Sequence, residues 1–297
     1  MSEMTRYLIV NADDCGLTKE VSRGILTAHQ EGIVSSVSVM ANMPDFQESM
    51  DQIKRFPDLD CGVHLNLTIG SPITSPEEIG SLTDMNGKFY GLFRFLARLK
   101  TGRVKLCEVK SEWETQVVRL QEEGIRISHL DSHHHVHAMP ELCSVAFDLA
   151  EKHKVPVVRN PREFGLRVRG IPFLQFLRSI GIFLLISSNH SHRYVISADF
   201  FSGFFADRLM KNPSAWRQEV AKIPEGVTEI AVHPGYDSEA LRQFELPRVA
   251  SRREKELALL TQPQLKVLLQ ETGIKIISHA QYRSLHSTNQ PQPGRGT

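Results

Sequence analysis

Apolar, β-branched residues come in short blocks along this chain, and most blocks are followed by a longer stretch whose apolar positions recur at helical spacing. Arg6-Tyr-Leu-Ile-Val-Asn-Ala12, Val34-Ser-Ser-Val-Ser-Val-Met-Ala41 and Asp60-Cys-Gly-Val-His-Leu-Asn-Leu67 read as the first three strands. A helix follows the first, opened by Thr18 as N-cap and running to about His29, and a second helix begins near Pro44. A helix over Glu108 to Glu123 leads into Gly124-Ile-Arg-Ile-Ser-His-Leu130 as the fourth strand. Met139-Pro140-Glu141-Leu142 then starts a helix to His153, and Val155-Pro-Val-Val-Arg159 is the fifth strand. Later, Val227-Thr-Glu-Ile-Ala-Val-His233 is a clear strand, Arg248 to Glu271 is helical and charge-laced, and Ile274-Lys-Ile-Ile277 is a strand before a short terminal helix.

Strand and helix alternating some seven times argue for a parallel sheet covered by helices. Near-continuous apolar strands favour closure into a TIM-barrel-like (β/α) barrel. Two stretches depart from the rhythm. Residues 71–107 hold Pro72, Pro76, Gly80, Gly87, Gly91 and Gly102 and read as an insertion after the third strand, with a short helix around Leu92 to Leu99. Asn160 to Gly226 shows only helical pieces near Pro172 to Leu185 and Ala206 to Val220 and an extended piece at Tyr194 to Ser197. With no internal repeat and no interdomain linker, residues 1–289 read as one domain, and the Pro- and Gly-containing residues 290–297 as a disordered tail.

Composition narrows the classes. A chain of 297 residues, 41% hydrophobic, can bury a full core, and a net charge of +1 gives no field to draw nucleic acid or an anionic membrane. The basic runs Arg167-Val-Arg169 and Arg252-Arg253 accordingly read as solvated faces. Four cysteines without Cys-x-x-Cys spacing suit a reducing compartment. The start lacks a secretory pattern, and the most apolar segment, Ile171 to Ser187, is interrupted by Arg178 and too short to span. The expectation is a soluble cytoplasmic protein with neither nucleic-acid nor membrane partners.

Candidate chemistry centres on Leu130-Asp-Ser-His-His-His-Val-His137, where four histidines fall in five positions at a strand end. In an extended backbone His133 and His135 share a face, so not all four can hold one ion. Asp13-Asp14, His64, His133 and His233 all lie at or near the C-terminal ends of expected strands, the rim where (β/α) barrels collect ligands. One carboxylate with two imidazoles can hold a divalent ion and leave positions open for water and substrate. Two adjacent aspartates can divide the work between ion and proton, and a histidine across the site can protonate a leaving nitrogen. That set describes hydrolysis of an amide or ester. Singly, each feature has a plainer explanation, since Asp caps helices, His64 could be a packed core histidine and His233 could simply end a strand.

Several stretches resemble the YdjC-like carbohydrate deacetylases, which include chitooligosaccharide deacetylases. They are Leu8-Ile-Val-Asn-Ala-Asp-Asp-Cys-Gly-Leu17, Gly32-Ile-Val-Ser-Ser36, Gly62-Val-His-Leu-Asn-Leu-Thr68, His129 to His137, Val158-Arg159 and Ala231-Val-His-Pro-Gly235. The resemblance implies a distorted (β/α) barrel, one divalent ion (Mg2+ or Zn2+), a homodimer, and removal of the N-acetyl group from an amino sugar or short oligosaccharide. By position it implies Asp14, His64 and His133 as metal ligands, Asp13 as catalytic base and His233 as the acid-side residue. Arg159 matches a site-lining arginine, and His135 and His137 join it as substrate-side candidates. Cys15 stands where the family usually has an aromatic, and is expected to be packed. Phe89, Tyr90, Phe93 and Phe95 could stack on sugar rings or pin the insertion to the barrel. The alternatives are a metal-dependent hydrolase of another ester, amide or phosphoester, or a non-catalytic sugar-binding metalloprotein. Against a phosphoester stand the single expected ion and the lack of a Gly-rich phosphate cradle.

Overall fold

Every strand of the computed structural model, which describes residues 5–163 and 195–288, runs parallel to its neighbours in one sheet. The strands are β1 (Arg6–Cys15), β2 (Ser36–Val39), β3 (Asp60–Leu65), β4 (His129–Ser132), β5 (Val157–Val158), β6 (Phe200–Ser202), β7 (Gly226–Val232) and β8 (Ile274–Ile276). They lie in the order β5-β4-β3-β2-β1-β7-β6. Along one edge β1 pairs with β7, while its other edge meets β8 at Arg6 to Leu8 and β2 from Asn11 onward. Single parallel bridges extend the two outer strands, Val157 to Ile196 on β5 and Glu163 to Phe201 on β6. The sheet is therefore curled into a distorted, TIM-barrel-like (β/α) form, as expected.

Helices fill the crossovers: α1 (Lys19–Gln30), α2 (Phe46–Ile53), α3 (Leu92–Lys100), α4 (Leu106–Glu122), α5 (Pro140–Lys152), α6 (Phe205–Lys211), α7 (Trp216–Ala221), α8 (Pro247–Leu260), α9 (Pro263–Glu271) and α10 (His279–Thr288). Thr18 does cap α1, its hydroxyl accepting from Val21 N. The stretch expected as one helix from Arg248 to Glu271 is two, because Pro263 cannot donate into a continuing helix and instead begins α9. Pro213 likewise separates α6 from α7. The fourth strand starts at His129 rather than near Gly124. The helical piece at 172–185, Tyr194, the Arg167-Val-Arg169 run and the tail at 290–297 lie outside the described residues. No helix among the described residues is long and apolar enough to cross a membrane.

Period-two alternation divides each strand between two environments. Leu8, Val10 and Ala12 of β1, Val37 and Val39 of β2, and Val63 and Leu65 of β3 are fully buried in the main apolar cluster with the helices. The opposite parity holds Asn11, Asp13, Ser36, Ser38, His64, His129, Asp131 and Glu229, all at most 2% exposed, so the inner face carries a polar patch beside a small apolar cluster of Ile9, Val157 and Val227. Gly62 is required on that face, since a Cβ there would lie 2.4 Å from the His129 ring. The insertion is tied down by α4: Glu112 accepts from the Ile73 and Thr74 N–H groups and Glu108 from Ser81 N–H. Phe89, Tyr90 and Phe95 are buried beneath it and pin it in place, whereas Phe93 is exposed.

Candidate metal and catalytic centre

Adjacent residues on a strand point to opposite faces, yet Asp13 and Asp14 both reach the inner rim. The cause is a bulge. Between Ala12 and Cys15 strand β1 spends three steps where β2 spends two, from Val37 to Val39, and Asp14 takes φ 70°. A bulge of this kind re-aims side chains at sheet ends, and a non-glycine residue at positive φ costs of order 1–3 kcal/mol. A second left-handed turn follows β4, where His134 (φ 59°) and His135 (φ 55°) reverse the chain immediately after His133. The histidine run is thus a tight turn, and its four rings are dealt to different places.

Asp14, His64 and His133 converge. Asp14 Oδ1 lies 3.2 Å from His64 Nε2 and 2.9 Å from His133 Nδ1. Behind them, His64 Nδ1 donates to Asp131 Oδ1 at 2.7 Å, which fixes its tautomer and aims Nε2 at Asp14. That Nε2 lone pair faces a carboxylate, so the pair calls for positive charge between them. In the ion-free molecule a proton fills that role: burial opposes the charge on His64, but Asp131, Asp14 and Asp13 outweigh it and raise the imidazole to about 10. Burial likewise opposes the Asp14 carboxylate, while His133 and Arg253 hold it well below the usual range. One ionised carboxylate and two imidazoles within 4.8 Å of one another are a donor set that fits a divalent ion.

Asp13 sits beside this triad in a different environment. Arg159 grips it with both Nη atoms, 2.7 and 2.9 Å from its two oxygens, and Asn11 Nδ2 donates to Oδ1 at 2.8 Å. The same guanidinium reaches Asp131 Oδ2 at 2.7 Å and Glu229 Oε1 at 2.6 Å. Burial pushes Asp13 up, but Arg159 and His64 hold its carboxyl far below the usual range. Arg159 is 2% exposed, and its guanidinium organises carboxylates from three strands. The contact from β5 to β7, strands at distant places in the sheet order, also shows how tightly the sheet curls.

His233 stands across from Asp13 at the end of β7, with Nε2 3.9 Å from Asp13 Oδ2 and its side chain 35% exposed. Glu256 on α8 accepts from the His233 backbone N–H at 2.7 Å. The His233-Pro-Gly235 turn packs directly on α1: a Cβ on Gly24 would lie 2.5 Å from Gly235 Cα.

The remaining histidines separate. His137 is 2% exposed and both its ring nitrogens are engaged. Its Nε2 donates to the Arg159 carbonyl at 2.9 Å and its Nδ1 meets Ser132 Oγ at 2.5 Å. Burial pushes it down to about 4, so it is a neutral strut between the ends of β4 and β5. His135 stays half-buried, edge-on to Phe201. His134 meets Thr68 Oγ1 through Nδ1. Cys15 is fully buried and packed, and burial pushes its thiol up to about 12.

Several participants escaped the sequence reading. Asp131 and Glu229 form the polar floor around Arg159, and Ser38 links Asn11, Asp131 and His129 beneath it. Their signal was a charged residue at the inward parity of a buried strand. Arg253 was read with Arg252 as a solvated face, but it is 2% exposed and its Nη2 lies 2.6 Å from Asp14 Oδ2. Nothing in a helical repeat announces a contact 239 residues away.

Comparison with known proteins adds to this geometry. A carbohydrate deacetylase of Brevibacillus brevis is 33% identical over 276 residues, 92% of this chain and 98% of that protein. One from Halalkalibacterium halodurans is 34% identical over 87% of this chain and 96% of its own length. A solved structure from Enterococcus faecalis, described as a candidate cellobiose-phosphate cleavage protein, is 28% identical and superposes with a TM-score of 0.73, covering 94% of this chain and 99% of its own. The model of the YdjC-like protein family matches residues 7–271, the span that carries every strand of the sheet but β8 and every residue of the rim, and the chain belongs to that family.

Proposed function

We propose that the protein hydrolyses the N-acetyl amide of an acetylated amino sugar or short oligosaccharide, releasing acetate and a free amine. The observation that carries this reading is the convergence of Asp14 Oδ1, His64 Nε2 and His133 Nδ1 beside an ionised Asp13, with His233 opposite. The similarity to the Brevibacillus and Halalkalibacterium carbohydrate deacetylases supports the substrate class. Asp14, His64 and His133 would hold one divalent ion, which when bound polarises the acetyl carbonyl and lowers the pKa of water at the site. Zn2+ suits this nitrogen-containing donor set, and Mg2+ is the oxygen-preferring alternative.

Asp13 takes the proton from the attacking water; it is ionised at neutral pH and Arg159 fixes both its oxygens, so it needs no rearrangement. His233 gives a proton to the departing nitrogen as the C–N bond breaks and a C–O bond forms from water. Its partial exposure leaves it accessible to substrate, while the inner rim keeps Asp13 dry. Such acid–base assistance contributes about 10²–10⁴-fold each.

Acetate release measured against mono-, di- and trimeric N-acetylated amino sugars tests the reading. Release is expected to vanish after chelation and to return on adding back Zn2+ or Mg2+. A chelated, ion-free protein that releases acetate at the full rate, or a loaded one that releases none from any acetylated sugar, refutes it.

A further inference from the structure

Asp14 presents two oxygens of very different availability. Oδ1 faces His64 and His133, whereas Oδ2 accepts from Arg253 Nη2 at 2.6 Å. Glu245 grips the same edge of Arg253, through Nε to Oε2 at 2.9 Å and, at the Nη2 it shares with Asp14, to Oε1. The arginine is 2% exposed and comes from α8, the helix that also sends Glu256 to the His233 backbone. Its Cδ lies beside Gly235, where an added Cβ would approach within 3.3 Å.

From this arrangement we infer that Arg253 is a positioning residue that confines Asp14 to one-oxygen presentation and so sets which divalent cation the site prefers. The inference rests on the proposed metal site and deepens it. A carboxylate free to offer both oxygens suits Ca2+, which gathers six to eight oxygen ligands and readily takes two from one carboxylate. A carboxylate with one oxygen tied to a guanidinium offers a single point donor, which with two imidazoles matches Zn2+. Arg253 never reaches the reacting atoms. It acts through Asp14, and Glu245 acts through Arg253.

The readout is a ratio. Removing a cation beside the site changes its attraction for all divalent ions alike, so absolute affinity mixes charge with geometry, whereas the ratio of Ca2+ to Zn2+ affinity cancels the shared charge effect. Competition against a chromophoric chelator gives both affinities without any assay of catalysis. In Arg253→Met the Ca2+ to Zn2+ ratio is expected to rise by about 10–100-fold, the range for loss of a partner that orients a metal ligand. Arg253→Lys keeps the charge and a donor for Oδ2 and is expected to stay near the wild-type ratio. If Arg253→Met does not fold, Glu245→Gln reads the same effect, releasing the guanidinium from its anchor and raising the ratio in the same direction by less. An unchanged ratio in folded Arg253→Met, or in Glu245→Gln where that variant is the one read, overturns the inference while the metal site stands. Wild-type protein that takes up neither ion overturns the metal site itself and this inference with it.

Discussion

Arg159→Met tests the polar floor most directly. The native guanidinium is out of solvent and meets Asp13, Asp131 and Glu229 at 2.6–2.9 Å. Methionine fills much of the same space and leaves three buried carboxylates facing no cation. Breaking a buried ion pair from one side costs about 3–5 kcal/mol, because the remaining charge keeps its desolvation penalty. At roughly 2–4 °C per kcal/mol, melting should fall by roughly 6–20 °C. The loss should also depend on pH. In the native protein burial pushes Glu229 up, but Arg159 and His279 hold it down at about 2, and Asp13 is depressed as well. A depressed carboxyl contributes stability that is present above its unfolded pKa, near 4, and is lost as pH falls toward the folded value. In the variant burial is opposed only by the neighbouring histidines, His64 and His233 at Asp13 and His279 at Glu229, so the folded pKa values of these carboxyls rise. Such groups destabilise most when ionised and recover as they protonate. The deficit relative to wild type should therefore be largest near about pH 8 and shrink toward about pH 5. Urea unfolding of both ion-free proteins across that range measures it. A deficit below about 1 kcal/mol, or one equal at both ends of the range, would refute the account of Arg159 as the counter-ion of this floor.

Asp13→Asn should lower acetate release by about 10²–10⁴-fold while Zn2+ uptake persists, because the three converging donors are untouched; loss of uptake in equal measure would move Asp13 from base to ligand. Gly24→Ala introduces a Cβ 2.5 Å from Gly235 Cα and should destabilise by about 1–3 kcal/mol. The same change should slow acetate release through displacement of His233, and a variant as stable and active as wild type would show that the α1 contact does not seat that turn. Alkylation of the native protein should modify exposed Cys107 and spare Cys15 and Cys61, whose thiols burial pushes up; rapid labelling of Cys15 in folded protein would contradict its packing.

The alternation of apolar strand blocks with helical repeats was legible from sequence because each signal is local: a β-branched run such as Leu8-Ile-Val10 or Ile230-Ala-Val232 reports its own burial. Placing chemistry at strand ends then followed from the rule for parallel sheets, and His64, His133 and the Asp pair do lie on one rim. Three features depended on tertiary structure. The bulge that turns Asp13 and Asp14 to the same side is a register difference between β1 and β2, and no property of either residue encodes it. The histidine run became a left-handed turn, which sent His137 inward as a strut and kept His133 at the rim. Charge partners were set by curvature: Arg159 reaches Glu229, and Arg253 reaches Asp14, only because the sheet curls and α8 folds back over its end. Hydrophobic periodicity records which side of an element is buried. It carries no information about which distant charge will be waiting there, since that is decided by how whole elements pack.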